Sequence, residues 1–206
     1  MNAFSRAKLL IHFLHWRYTW DKRNTDYRFT VAGNPKFMGP RDAAKLIPDG
    51  AVVATCGLAG NQRTSIMWWA MRELFEVTGH PAKLTLICSG GHGGRGKVPG
   101  TLEELAVDGL ITRFFTGHTE TFKRMLRMAD AGSLEFQVIP QGTFARLLSA
   151  QAEGRPTLTT QTGLGTFIDP ACGRGTPLAN SQTQYVECVS EGLRFSCPEI
   201  THAVWN

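Results

Sequence analysis

Residues 83–96 read KLTLICSGGHGGRG: an apolar run that passes directly into a cluster of glycines. A run of this length bounded by glycine is the pattern of a buried strand, here Lys83 to Ser89. The same unit recurs on both sides of it. Upstream, Ala51 to Thr55 (AVVAT) predicts a short strand, and Gly57 to Arg63 a glycine-containing turn. Thr64 is placed to cap a helix to Val77, which Gly79 and Pro81 would end. On that helix Ile66, Ala70 and Leu74 are expected to share one face, with Met67 and Met71 beside it. Pro40 to Ile47 predicts a shorter helix with proline at its start.

Downstream, a helix is expected near Thr101 to Leu105, a strand over Leu110 to Phe115 and a helix over Glu120 to Ala131. A strand over Leu134 to Ile139, a turn at Gln141–Gly142 and a helix over Thr143 to Glu153 complete the series. Strands alternating with helices of this length predict an α/β fold: an open, mainly parallel sheet with helices on both faces. In such sheets ligands sit beyond the carboxyl ends of the strands. Gly57, Gly90 and Gln141 all fall just past predicted strand ends. From Gly154 the texture changes. A Thr-rich stretch (157–162) leads into Gly163–Pro170, a loop-like segment covers 173–184, and short strands are expected at Tyr185–Val189, Leu193–Ser196 and Thr201–Trp205.

The 206 residues suit one domain with a full core, and 42% hydrophobic content with twelve Phe argues against disorder. The net charge of +5 is concentrated in residues 1–24, where Arg6, Lys8, Arg17, Lys22 and Arg23 face Asp21 alone. The body is close to neutral, which argues against a nucleic-acid partner. No apolar stretch is long enough to span a membrane. Residues 1–28 are therefore expected to be a basic arm and linker, and 29–206 the domain. In the arm, Leu9, Leu10, Phe13 and Leu14 could line one helical face. A secretory signal is disfavoured by His12 and His15, whereas a mitochondrial transit peptide stays open beside a cytoplasmic location. Cys56, Cys88, Cys172, Cys188 and Cys197 are an odd, scattered set without a CxxC pair. They predict neither a disulfide framework nor a zinc site, and fit a reducing compartment.

Three glycine clusters stand out: Gly57–Gly60, Gly90–Gly96 and Gly163–Gly165. Glycine lets backbone N–H groups approach an anion closely, or simply makes tight turns. The GHGGRG of Gly91–Gly96 breaks the dinucleotide spacing, and neither a GxxxxGK[ST] loop nor a GxSxG elbow is present. His92 and His118 lack a Ser or Cys in triad context and are expected to be ordinary polar loop residues. From the residues alone, the reaction stays open.

Taken together, three segments resemble the family I coenzyme A transferases over about Phe29 to Pro177. They are the strand and glycine turn Val52–Gly60, the Ile139-Pro140-Gln141-Gly142-Thr143 turn, and Gly163-Leu164-Gly165-Thr166-Phe167-Ile168-Asp169-Pro170, similar to a GxGTFxDP stretch. The likeness is to the N-terminal, or α, half. It implies transfer of CoA from an acyl-CoA to a free carboxylate, through a glutamyl-CoA thioester whose glutamate lies in a β half. Glu103, Glu104, Glu187 and Glu191 lack the context of that nucleophile. By the resemblance, Gly57, Gly60, Asn61, Gly90, Gly91, Gln141, Gly142, Gly163, Gly165 and Thr166 line a substrate site, with Gln141 the foremost polar contact. No metal and no cofactor beyond the CoA thioester substrate are expected. The expected partners are a β half, acyl-CoA and a carboxylate, within an oligomer. Ala171 replaces the usual Arg after Asp-Pro, and Gly173-Arg174-Gly175-Thr176 stands where Gly-Gly-Lys is common. These departures point to a divergent subgroup and leave the acyl substrate open, and the α half is expected to be C-terminally incomplete. Two alternatives stand beside the main reading: an inactive binding fragment, or an acyl-CoA hydrolase on the same fold.

Overall fold

The computed structural model describes residues 3–19, 25, 34, 36–55 and 63–204. A helix α1 (Ala3–Thr19) leads, with Leu9, Leu10, Phe13 and Leu14 all exposed. The domain then runs α2 (Pro40–Ala44), β1 (Val52–Thr55), α3 (Ser65–Thr78), β2 (Leu84–Cys88), a 3-10 turn (Leu102–Leu105), β3 (Ile111–Thr116), α4 (Lys123–Asp130), β4 (Glu135–Val138) and α5 (Gln141–Ala152). It continues as β5 (Thr157–Thr160), β6 (Pro177–Leu178), β7 (Val186–Val189), β8 (Gly192–Ser196) and β9 (His202–Val204).

Six strands form one sheet in the order β6-β4-β3-β2-β1-β9, parallel except for β6 against β4. The register sorts its side chains by parity. Val53, Leu86, Phe114 and Phe136 are aligned across four strands and all enter one core; Ala54, Ile87 and Phe115, one residue on, enter the other. Both faces are buried, so the strands are apolar at consecutive positions instead of alternating.

The first core is closed by Ala44 of α2, Trp68 and Met71 of α3, Leu102 and Leu105, and Met125 of α4. Phe114 meets Phe122 and Phe136 edge-on, at ring separations of 4.8 and 5.1 Å. The second core is closed by Phe144 and Leu147 of α5 and by a three-stranded antiparallel sheet, β5-β8-β7, through Leu158, Val186, Leu193 and Phe195. The sequence pattern marks the late strands but not that they form a separate sheet over this face.

Three expectations are corrected. The buried stripe of α3 carries Trp68, Ala70 and Met71, with Met67, Leu74 and Phe75 packed against it, while Ile66 is exposed. The indole of Trp68 has the larger apolar area and sets the rotation of the helix. Trp69 instead reaches the flank, where its Nε1 donates to Glu104 at 2.8 Å. Gln141 and Gly142 are the first residues of α5, not a turn before it; the Pro140 carbonyl accepts from Phe144 N–H at 2.8 Å and opens the helix. The segment 173–184 is not all loop, since Pro177–Leu178 adds an antiparallel edge strand to β4. Among the described residues, no helix is long and apolar enough to cross a membrane.

Candidate active-site loops at the strand ends

Adjacent parallel strands β2, β3 and β4 deliver three loops to one edge of the sheet. Their meeting point is Gly117, the first residue after β3. A Cβ there would stand 2.7 Å from Gln141 Cα and 2.8 Å from both Gln141 Cβ and the Ser89 carbonyl oxygen. No side chain fits, so glycine is what allows the ends of β2 and β4 to close on that of β3. Gln141, exposed, begins the twelve-residue α5. The first N–H groups of a helix have no intrahelical acceptor and carry partial positive charge. A side-chain amide beside them is suited to an oxygen that gains negative charge.

The loop after β2 is laid against the segment after β3. Arg95 N–H donates to the Thr121 carbonyl at 3.0 Å, the Gly90 carbonyl accepts from Cys88 Sγ at 3.1 Å, and Leu102 N–H donates to the His92 carbonyl at 3.1 Å. His92 is fully buried, its ring 5.8 Å from that of Trp68. It lies in the loop, as its glycine surroundings suggest, but is buried there and not an ordinary exposed polar residue.

Glu103 and Glu104 are fully buried and committed to this architecture. Glu104 pairs with Arg72 at 2.8 Å and accepts from Trp69 Nε1 and, at 3.1 Å, Gly100 N–H. Glu103 accepts from Gly96 N–H at 3.4 Å and from Arg124 N–H, which ties the glycine loop to the start of α4. Glu187 is at the surface with Arg194 as its partner, 3.0 Å away. These contacts give each of the three glutamates a structural partner.

The third group, Gly163, Gly165 and Thr166, lies in the turn after β5. Gly163 and Gly165 have φ of +98° and +71°, in the left-handed region that favours glycine. Asp169 builds the loop. Its carboxylate accepts from Gly165 N–H and Ala171 N–H, both at 2.9 Å, and these bonds hold its pKa below the ordinary carboxylate value. The backbone N–H of residue 171 makes this contact, which any side chain could accompany, so Ala171 in place of Arg leaves the loop intact. The Phe167 carbonyl accepts from Arg174 and Gly175 N–H, and the Thr176 carbonyl accepts from Val138 N–H at 2.8 Å. The loop is thereby linked to the carboxyl end of β4, with Leu164 and Phe167 exposed at its tip.

Of the expected site residues, Gly90 and Gly91 lie in the loop after β2, Gln141 and Gly142 at the start of α5 beside Gly117, and Gly163, Gly165 and Thr166 in the loop tied to β4. Gly57, Gly60 and Asn61 lie outside the described residues. Gly117 was not singled out from sequence, and Asp169 was quoted only within the Gly163–Pro170 segment, without a role. A lone glycine after a strand reads as an ordinary turn, and a carboxylate that binds only local backbone has no partner at recognisable spacing. Two clefts of about 330 and 350 Å³ lie elsewhere, one beside Gln151 and Cys197 and one beside Tyr185 and Arg194. In the first, burial pushes the Cys197 thiol up to about 12, which removes it as a nucleophile near neutral pH. Among the described residues no group of three His, Cys, Asp or Glu could hold a metal ion.

Residues 38–188 match the Coenzyme A transferase family. The chain belongs to that family. The match starts later and ends later than the resemblance read from Phe29 to Pro177. Caffeate CoA-transferase of Acetobacterium woodii is 34% identical over 135 residues, 66% of this chain and 25% of that protein. Acetate CoA-transferase YdiF of Escherichia coli K12 is 27% identical over 142 residues, 68% of this chain and 26% of that protein. The chain thus spans about a quarter of the length of these relatives. The fold is that of the acyl-CoA transferase YdiF of E. coli O157:H7. Its apoenzyme superposes with a TM-score of 0.71 at 23% identity, over 80% of this chain and 32% of that one. Its thioester complex with CoA gives 0.73 at 24%, over 80% and 34%.

Proposed function

We propose that this coenzyme A transferase chain is the α portion of an acyl-CoA:carboxylate CoA-transferase that works with a β half. The observation that carries the reading is the contact of Ser89, Gly117 and Gln141, which gathers three loop ends at the carboxyl edge of a parallel sheet. In this reading a glutamate of the β half attacks the thioester carbonyl. The tetrahedral oxyanion forms against Gln141 and the backbone N–H groups around it, and CoA leaves as the thiolate. The thiolate then attacks the glutamyl carbonyl of the resulting anhydride, which frees the first carboxylate and leaves a glutamyl-CoA thioester. The acceptor carboxylate reverses the sequence. In this reading Gly90, Gly91, Gly142, Gly163, Gly165 and Thr166 line the site around these atoms. The exposed Leu164 and Phe167 fit a surface that a β half covers. The scattered cysteines of the sequence suit a reducing, cytoplasmic setting.

The test is to mix the chain with a β half from a family member, add acetyl-CoA and trap the covalent intermediate for mass spectrometry. A CoA adduct on a β-half glutamate, formed only when this chain is present, is the expected result. An adduct on Glu103, Glu104, Glu187 or Glu191 of this chain would overturn the division of roles.

A further inference from the structure

Two polar atoms beneath the glycine loop have no hydrogen-bond partner. His118 Nδ1 and Thr121 Oγ1 are both sealed from solvent, and the whole of Thr121 is 8% exposed. Buried polar atoms forfeit their hydration, so an orphaned pair at one place calls for a reason. The two flank the same point: a Cβ on Gly91 would stand 3.3 Å from Nδ1 and 3.4 Å from Oγ1. The absence of a side chain at Gly91 lets the loop lie over both. Bonds of the His118 backbone, not of its ring, place the imidazole. His118 N–H donates to Thr116 Oγ1 at 3.1 Å, and the His118 carbonyl accepts from the same hydroxyl at 3.2 Å. The ring follows directly on Gly117, whose backbone abuts Gln141. It is half-buried, and its Nε2 is not sealed as Nδ1 is.

Resting on the acyl-CoA reading above, we propose that His118 and Thr121 form a subsite for an acyl oxygen. On binding, the Thr121 hydroxyl donates to Nδ1, which holds the neutral ring in the tautomer with its proton on Nε2. That N–H donates to an oxygen of the acyl group, which is either the carboxylate of a free acid or the carbonyl of a CoA thioester. Each orphaned atom gains a partner, and the contact falls one residue from the point where the loops meet.

The experiment follows the His118 ring nitrogens and the backbone amides of the full ¹⁵N-labelled chain by NMR, with sodium acetate, acetyl-CoA and free CoA added separately. Acetate and acetyl-CoA should each move the His118 Nε2 resonance, and free CoA should not. His118→Phe should weaken acetate binding about tenfold, the usual worth of one hydrogen bond, with the remaining amide spectrum unchanged. Movement of the Gln141 amide without His118 would overturn the subsite and leave the acyl-CoA reading standing. An equal response of His118 to free CoA would also overturn it, since the contact would then be to the nucleotide or pantetheine. Silence at both residues would also overturn the subsite, and transfer by the mixture with a β half would then decide the acyl-CoA reading separately. The wild-type ring signals decide these outcomes even if His118→Phe does not fold.

Discussion

Gly117 makes the sharpest demand of any single position. Its missing side chain decides where Gln141 sits relative to Ser89, so Gly117→Ala must displace backbone, not a flexible side-chain end. Overpacking of this kind costs about 2 kcal/mol, and the denaturant midpoint should fall accordingly. Transfer activity of the reconstituted enzyme should fall further than the stability loss explains, because Gln141 moves with it. Gln141→Ala should separate the two effects: the side chain is exposed at the helix start, so the unfolding midpoint should stay put while transfer drops about a hundredfold, as for loss of an oxyanion donor. Asp169 carries a pH dependence. Its folded pKa is depressed by the Gly165 and Ala171 N–H groups, so its stabilisation is complete above the unfolded value, near 4. That stabilisation drains away as pH falls through the folded value. Urea midpoints of wild type and Asp169→Asn should differ by a constant amount between pH 5 and 7, a gap that closes in stronger acid.

At the scale of elements, the strand–loop–helix series from 51 to 152 was legible because each strand is a short apolar run ended by glycine or proline. Two features were not. The rotation of α3 depends on which large side chain the sheet accepts, and Ile66 and Trp68 fit a helical period equally well. The β5-β8-β7 sheet depends on long-range pairing between 157–160 and 192–196, which no local pattern encodes. Of the site, the residues in glycine clusters and at Gln141 were visible, since loops at strand ends are where this fold class binds ligands. His118 was dismissed for want of a triad partner; its place beside Gly91 is a tertiary fact. The two-faced sheet predicts that neighbouring residues fail separately. Phe114→Ala empties space beneath α4, and Phe115→Ala empties space beneath the antiparallel sheet, where its ring meets Tyr185 at 4.7 Å. Each should cost about 3–5 kcal/mol. Hydrogen exchange should show loosening in α4 for the first, and in β7 and β8 for the second.

Across the whole molecule, β9 lies parallel to β1 at the sheet edge. The glycine loop, the start of α5 and the 163–170 loop offer backbone amides, a side-chain amide and an exposed apolar tip. The buried glutamates Glu103 and Glu104 are already occupied by backbone and side-chain partners. Under the proposed function the binding loops lie in this chain and the nucleophile in a β half. The measurement that tests this most directly is CoA transfer from acetyl-CoA to a panel of carboxylates, run with this chain alone, a β half alone, and the two together. Transfer only in the mixture, lowered about a hundredfold by Gln141→Ala, is the predicted result. Transfer or thioester hydrolysis by this chain alone, or a folded mixture with no transfer to any acceptor, would contradict it.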